Sequence, residues 1–105
     1  MQELINKVQE LVAFELARAN TIHPPKFNSM HEAYAVILEE YEEAKEEFDL
    51  MEYPMHCVWF ETKENDIESA LLCTDGVETR AIKAAAELIQ VAAMCRKARK
   101  REDLE

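Results

Sequence analysis

The sequence predicts an all-α fold, a compact helical bundle of about four helices that a second subunit completes. Three observations carry this. Apolar residues recur at helical spacing along most of the chain, and only one glycine and three prolines stand among its 105 residues. No Asn-Gly or Asp-Gly pair lies between alternating apolar runs, the usual mark of a β-hairpin. A chain of this length makes one domain, 1–105, whose own core is marginal, so burial against a second copy adds stability.

Residues 2 to 19 place Leu4, Ile5, Val8, Leu11, Val12, Leu16 and Ala19 at helical spacing, which predicts a first amphipathic helix. Glu15 falls inside that stripe and needs a partner there, with Arg18 one turn on. Pro24 and Pro25 then break the pattern within NTIHPPKFN, because proline is excluded from a helix interior and pushes its predecessor towards extended backbone. Ser29-Met30-His31-Glu32 reads as a capping box, so the second helix is expected to start at about residue 30.

On this second helix Tyr34, Ile37, Tyr41, Ala44 and Phe48 share one stripe, and Glu40, Glu43 and Glu47 lie along its border. Six glutamates, Glu39, Glu40, Glu42, Glu43, Glu46 and Glu47, crowd into just over two turns with only Lys45 among them. Like charges three and four apart repel by roughly 0.2–0.5 kcal/mol a pair. Such a face is either solvated or poised for a cation.

Met51 to Pro54 reads as a connection, with Pro54 at the first position of a third helix that is weakened or kinked around Glu61 to Asp66. Cys73-Thr74-Asp75-Gly76 reads as a turn, and a last helix is expected from Val77 to about Lys100. Most of its circumference is apolar and small, so it must be covered on several sides. Its middle keeps one polar strip, Lys83, Glu87 and Gln90, which needs partners such as the acidic second helix. Arg96, Lys97, Arg99, Lys100 and Arg101 form a basic end that suits a helix C-terminus.

Charge and composition limit the function classes. A formal net charge of −10 argues against a nucleic-acid partner. The N-terminal stretch carries Glu3 and Glu10 and lacks the features of a signal peptide, and no apolar run approaches the ~20 residues that span a bilayer. Cys57, Cys73 and Cys95 are odd in number and lack CxxC spacing, which fits reduced core thiols in a cytoplasmic protein with no membrane partner.

The candidate chemistry lies in Glu40 and Glu43, two carboxylates three apart on one helix, with Glu87 offering a third from a facing helix. Hard oxygen donors of this kind select Mg²⁺, or Mn²⁺, over softer metals. The di-iron pattern Glu-x-x-His is excluded, since Asn20, Asn28 and Tyr53 stand three before His23, His31 and His56.

Glu39-Glu40-Tyr41-Glu42-Glu43 matches the EExxE motif of the all-α nucleoside triphosphate pyrophosphohydrolases that include MazG and the dimeric dUTPases. The stretches PKFNSMHEAYAVILEEYEEAKEEF and AAELIQVAAMCRKA are similar to the MazG-like proteins of phages, most clearly over residues 27–48 and 84–96. The resemblance implies a helical bundle built as a homodimer or homotetramer, and hydrolysis of an NTP or dNTP to the monophosphate and pyrophosphate. It makes Glu40, Glu43 and Glu87 the ligands of Mg²⁺, with Glu39 or Glu47 orienting or deprotonating the attacking water. Lys83 would contact phosphate, and His23, Lys26 and His31 are further substrate contacts from their position around the start of the second helix. Gln90 stands where the family usually has Asp: it can offer a metal its carbonyl oxygen, but it carries no charge and cannot act as a base. That departure keeps a second reading open, a catalytically weak or inactive helical oligomer that binds nucleotide or regulates.

Overall fold

The glutamates, alanines and apolar repeats of the chain give four helices in the computed structural model, which describes residues 1–100: α1 (Gln2–Asn20), α2 (Met30–Asp49), α3 (Glu52–Lys63) and α4 (Ile67–Ala98). There is no strand among the described residues. The expected all-α class therefore holds. Arg101, read as part of the basic end, lies outside the described residues.

The capping box forms with one change. Ser29 Oγ accepts from the backbone N–H of Glu32 at 3.1 Å, but the Glu32 carboxylate reaches back one residue further, accepting from the backbone N–H of Asn28 at 3.0 Å. Two donors at the start of α2 are thereby satisfied. Pro54 falls inside the first turn of α3, not at its first position. It is tolerated there because the first N–H groups of a helix have no intrahelical partner.

The expected turn at Cys73–Gly76 is absent. The chain turns instead at residues 64–66, where Asn65 adopts the left-handed conformation (φ 59°) that asparagine tolerates better than most residues. Asp66 then caps α4, accepting from the Ser69 backbone N–H at 3.1 Å and from the Ser69 hydroxyl at 2.9 Å. Those bonds hold the Asp66 carboxyl below its ordinary pKa. α4 runs on through Gly76, which the short Asp-Gly signal does not anticipate.

The described residues divide into two compact units, 1–41 with 87–100, and Glu42–Ala86; the long helices α2 and α4 contribute to both. In the first unit Val12, Leu16 and Ala19 of α1 form a core with Ala93 and Met94 of α4, and Phe27, Val36 and Ile37 pack against it. Only the second half of the α1 stripe is buried in this way; Leu4, Ile5, Val8 and Leu11 are exposed. In the second unit Ala44 and Ala84 are buried, no residue of α3 is, and Arg80 of α4 pairs with Glu47 of α2 at 3.1 Å.

The face that α2 turns inward differs from the expected one. Positions 33, 36, 37, 40, 44 and 47 are its buried or half-buried residues, while Tyr34, Tyr41 and Phe48 are exposed. Ile37 and Ala44 lie inward as the stripe predicts, and Ala33 takes the inward place expected for Tyr34. Glu40 and Glu47 consequently lie within the inward stripe and not at its border.

Candidate functional site

Three or four residues of spacing carry each site side chain to the same side of its helix. On α2 the inward series runs through buried Ala33 and half-buried Ile37 and Glu40; on α4 half-buried Glu87 and Gln90 precede buried Ala93, Met94 and Lys97. Glu40 and Glu87 bring carboxylate oxygens within 4.8 Å of each other. Gln90 joins them: with the amide orientation assigned from its surroundings, its nitrogen donates to Glu40 Oε2 at 2.7 Å and to Glu87 Oε2 at 3.2 Å.

Glu43 follows one turn beyond Glu40 on α2, exposed and within the second unit. Carboxylates as close as those of Glu40 and Glu87 raise each other's cost of ionisation unless positive charge or hydrogen-bond donors compensate. The Gln90 N–H groups supply part of that compensation. An oxygen-only donor set fits a hard divalent cation, and Gln90 could join it only by turning its carbonyl oxygen inward.

The carboxylate end opens on a cleft of about 540 Å³ in the first unit. Glu15, Glu39, Glu40 and Gln90 line one part of it, and Arg18, His23, Lys26 and Lys97 line another. Glu15 is held by Arg18, whose Nε donates to Oε2 at 3.0 Å and whose Nη2 donates to Oε1 at 2.5 Å. This pairing holds the Glu15 carboxyl below its ordinary range against the opposing effect of burial. The same contact raises the Arg18 pKa.

Lys97 is the residue that sequence reasoning missed. The sequence pattern puts it in a basic helix end, yet it is 5 % exposed and its Nζ lies 4.5 Å from the centroid of the Phe27 ring. Lysine is rarely buried to this degree without a partner, and a ring face offsets only part of the desolvation. The one sequence signal was indirect: Phe27 follows the Pro-Pro loop, which the ring helps to anchor against the core.

Of the residues singled out from the sequence, Glu39, Glu40, Gln90, His23 and Lys26 line this cleft, with Glu87 bonded to Gln90 at its carboxylate end. His31 is exposed on the first turn of α2 and is not among the lining residues. Glu47 is engaged by Arg80, and Lys83 is exposed; both belong to the second unit. No helix among the described residues is long and apolar enough to cross a membrane. No protein-family model matches the chain, and no curated protein or solved structure gives a significant match.

Proposed function

We propose that the protein is a Mg²⁺-dependent nucleoside triphosphate pyrophosphohydrolase that converts an NTP or dNTP to the monophosphate and pyrophosphate. The observation that carries the reading is the approach of the Glu40 carboxylate of α2 to that of Glu87 on α4, beside a cleft that also presents cations. A triphosphate needs both features, a divalent ion at its oxygens and positive side chains along the rest of its charge. The resemblance of the EExxE stretch to MazG-like enzymes points the same way.

Glu40, Glu43 and Glu87 are the proposed ligands of Mg²⁺ or Mn²⁺. The bound ion would supply charge neutralisation at the phosphates and a water of lowered pKa. Glu39, which lines the cleft, would orient or deprotonate the attacking water; Glu47 is the weaker candidate because Arg80 already engages its carboxylate. Lys26, His23 and Lys97 would meet phosphate oxygens. Lys83 and His31, exposed and not lining the cleft, have less support. A homodimer or homotetramer in the cytoplasm is part of the proposal, supported by the apolar side chains that α1 and α2 leave exposed.

The second reading, a nucleotide-binding or regulatory oligomer without catalysis, is favoured by one observation. Gln90 already satisfies Glu40 and Glu87 through its amide N–H groups, which an aspartate there could not do while ionised. Pyrophosphate release from each common NTP and dNTP with Mg²⁺ decides between them, with Glu40→Gln alongside. The hydrolase reading expects release that needs Mg²⁺ and falls at least 100-fold in the variant, the order seen when a charge-stabilising group is lost. Nucleotide binding without release would support the regulatory reading instead.

A further inference from the structure

α3 and the first part of α4 form a helical hairpin within the second unit, folded about Asn65. Its register is fixed by one close contact. A Cβ built on Gly76 would lie 3.2 Å from Cβ of Pro54, so the two backbones meet there as closely as side chains allow. One turn nearer the bend, Cys57 follows Pro54 on α3 and Cys73 precedes Gly76 on α4. In an antiparallel pair this places the two cysteines opposite each other. A disulfide requires Cβ atoms about 3.5–4.5 Å apart, and the Pro54–Gly76 approach sets a spacing of that order one turn away.

Each of the two thiols is free and half-buried. Burial pushes the Cys73 thiol up, and the neighbouring Cys57 thiol and Glu61 carboxylate add to the shift, in keeping with the register. Cys95 belongs to the first unit, 22 residues further along the sequence than Cys73. The expectation of three buried core thiols is thus replaced by one facing pair and one separate cysteine.

We propose that Cys57 and Cys73 are a dithiol pair that closes to a disulfide on meeting a disulfide oxidant such as oxidised glutathione, tying α3 to α4. One cysteine thiolate attacks the oxidant, forming a mixed disulfide and releasing one glutathione thiolate. The second, deprotonated, attacks the protein sulfur of that mixed disulfide and releases the other. Two thiols become one S–S bond, the two electrons reduce the oxidant to two glutathiones, and these take up the two protons. The bond closes the 15 residues 58–72 and constrains a hairpin in which no residue of α3 is buried. This inference stands apart from the hydrolase reading, since none of its residues belongs to the cleft.

The test uses the full chain, reduced, exchanged into oxidised glutathione, then denatured and alkylated. The expected product is a monomeric chain two hydrogens lighter in which only Cys95 is alkylated, and peptide mapping joins Cys57 to Cys73. Its thermal midpoint should rise by about 5–15 °C over the reduced form and return on reduction. Cys95→Ser should behave as wild type, whereas Cys57→Ser and Cys73→Ser should each show no rise. Three alkylated thiols, persistent glutathione adducts at Cys57 or Cys73, or a bond between chains would overturn the proposal.

Discussion

Gln90 decides how the carboxylates behave when no cation is near. Its amide donates to both Glu40 and Glu87, so it offsets part of the repulsion between them. Replacing it by aspartate removes both donors and adds a third negative group. The Gln90→Asp chain should lose about 1–3 kcal/mol of stability in chelator, as expected when hydrogen bonds to charged groups are lost and a like charge is added beside them. It should also gain more from Mg²⁺, since each added anionic oxygen favours a hard cation. Thermal unfolding with Mg²⁺ against NaCl of equal ionic strength measures both shifts. Equal Mg²⁺ responses in the two proteins would place Gln90 outside the ion's reach. The residue types of this site were legible in the sequence, because ExxE and an i, i+3 pair on an otherwise apolar helix leave few other pairings. Lys97 was not legible: its burial depends on a ring brought over from the Pro-Pro loop, which no spacing along α4 reveals.

The helices show which local signals outweigh others. α1 and α2 were legible because the Pro-Pro loop and the Ser29 cap act at the backbone, independent of what packs on them. The α3–α4 boundary was not, because Asp75-Gly76 carries a familiar turn signal while Asn65-Asp66 carries a weaker one that the fold uses. Gly76 costs about 1 kcal/mol of helix propensity relative to alanine, and the close approach of Pro54 explains why it is there. A larger side chain at this position must force α3 and α4 apart. Gly76→Leu should therefore destabilise the protein by about 1–3 kcal/mol despite leucine's better propensity, the range for overpacking. Urea unfolding measures it, and a stabilised Gly76→Leu would show that the hairpin opens freely at this contact.

At the scale of the whole molecule, apolar exposure and net charge pull in opposite directions. α1 leaves Leu4, Val8 and Leu11 exposed at i, i+4 and i+7, and α2 leaves Tyr34, Leu38 and Tyr41 exposed at the same spacing. These are the repeats of helices that pack on something, and the first set is the half of the expected α1 stripe that the chain's own core does not cover. The stripes were legible in the sequence; which of them serve the chain's own core was not, since one chain's periodicity does not distinguish internal from intersubunit packing. Against association stands the charge of −10 on every copy, which opposes bringing copies together. Assembly through the apolar stripes should therefore tighten as salt screens that repulsion, whereas assembly held by ion pairs would loosen. Light scattering after size exclusion should give a mass of two or four times 12.2 kDa, with dissociation on dilution shifted to lower concentration by added NaCl. Leu11→Glu, which places a charge in the α1 stripe, should shift the assembly towards monomer and lower its thermal midpoint, because a marginal core loses the burial its partner supplies. A wild-type chain that remains monomeric at high salt and high concentration would count against a second subunit, and with it against the expectation that the bundle is completed in trans.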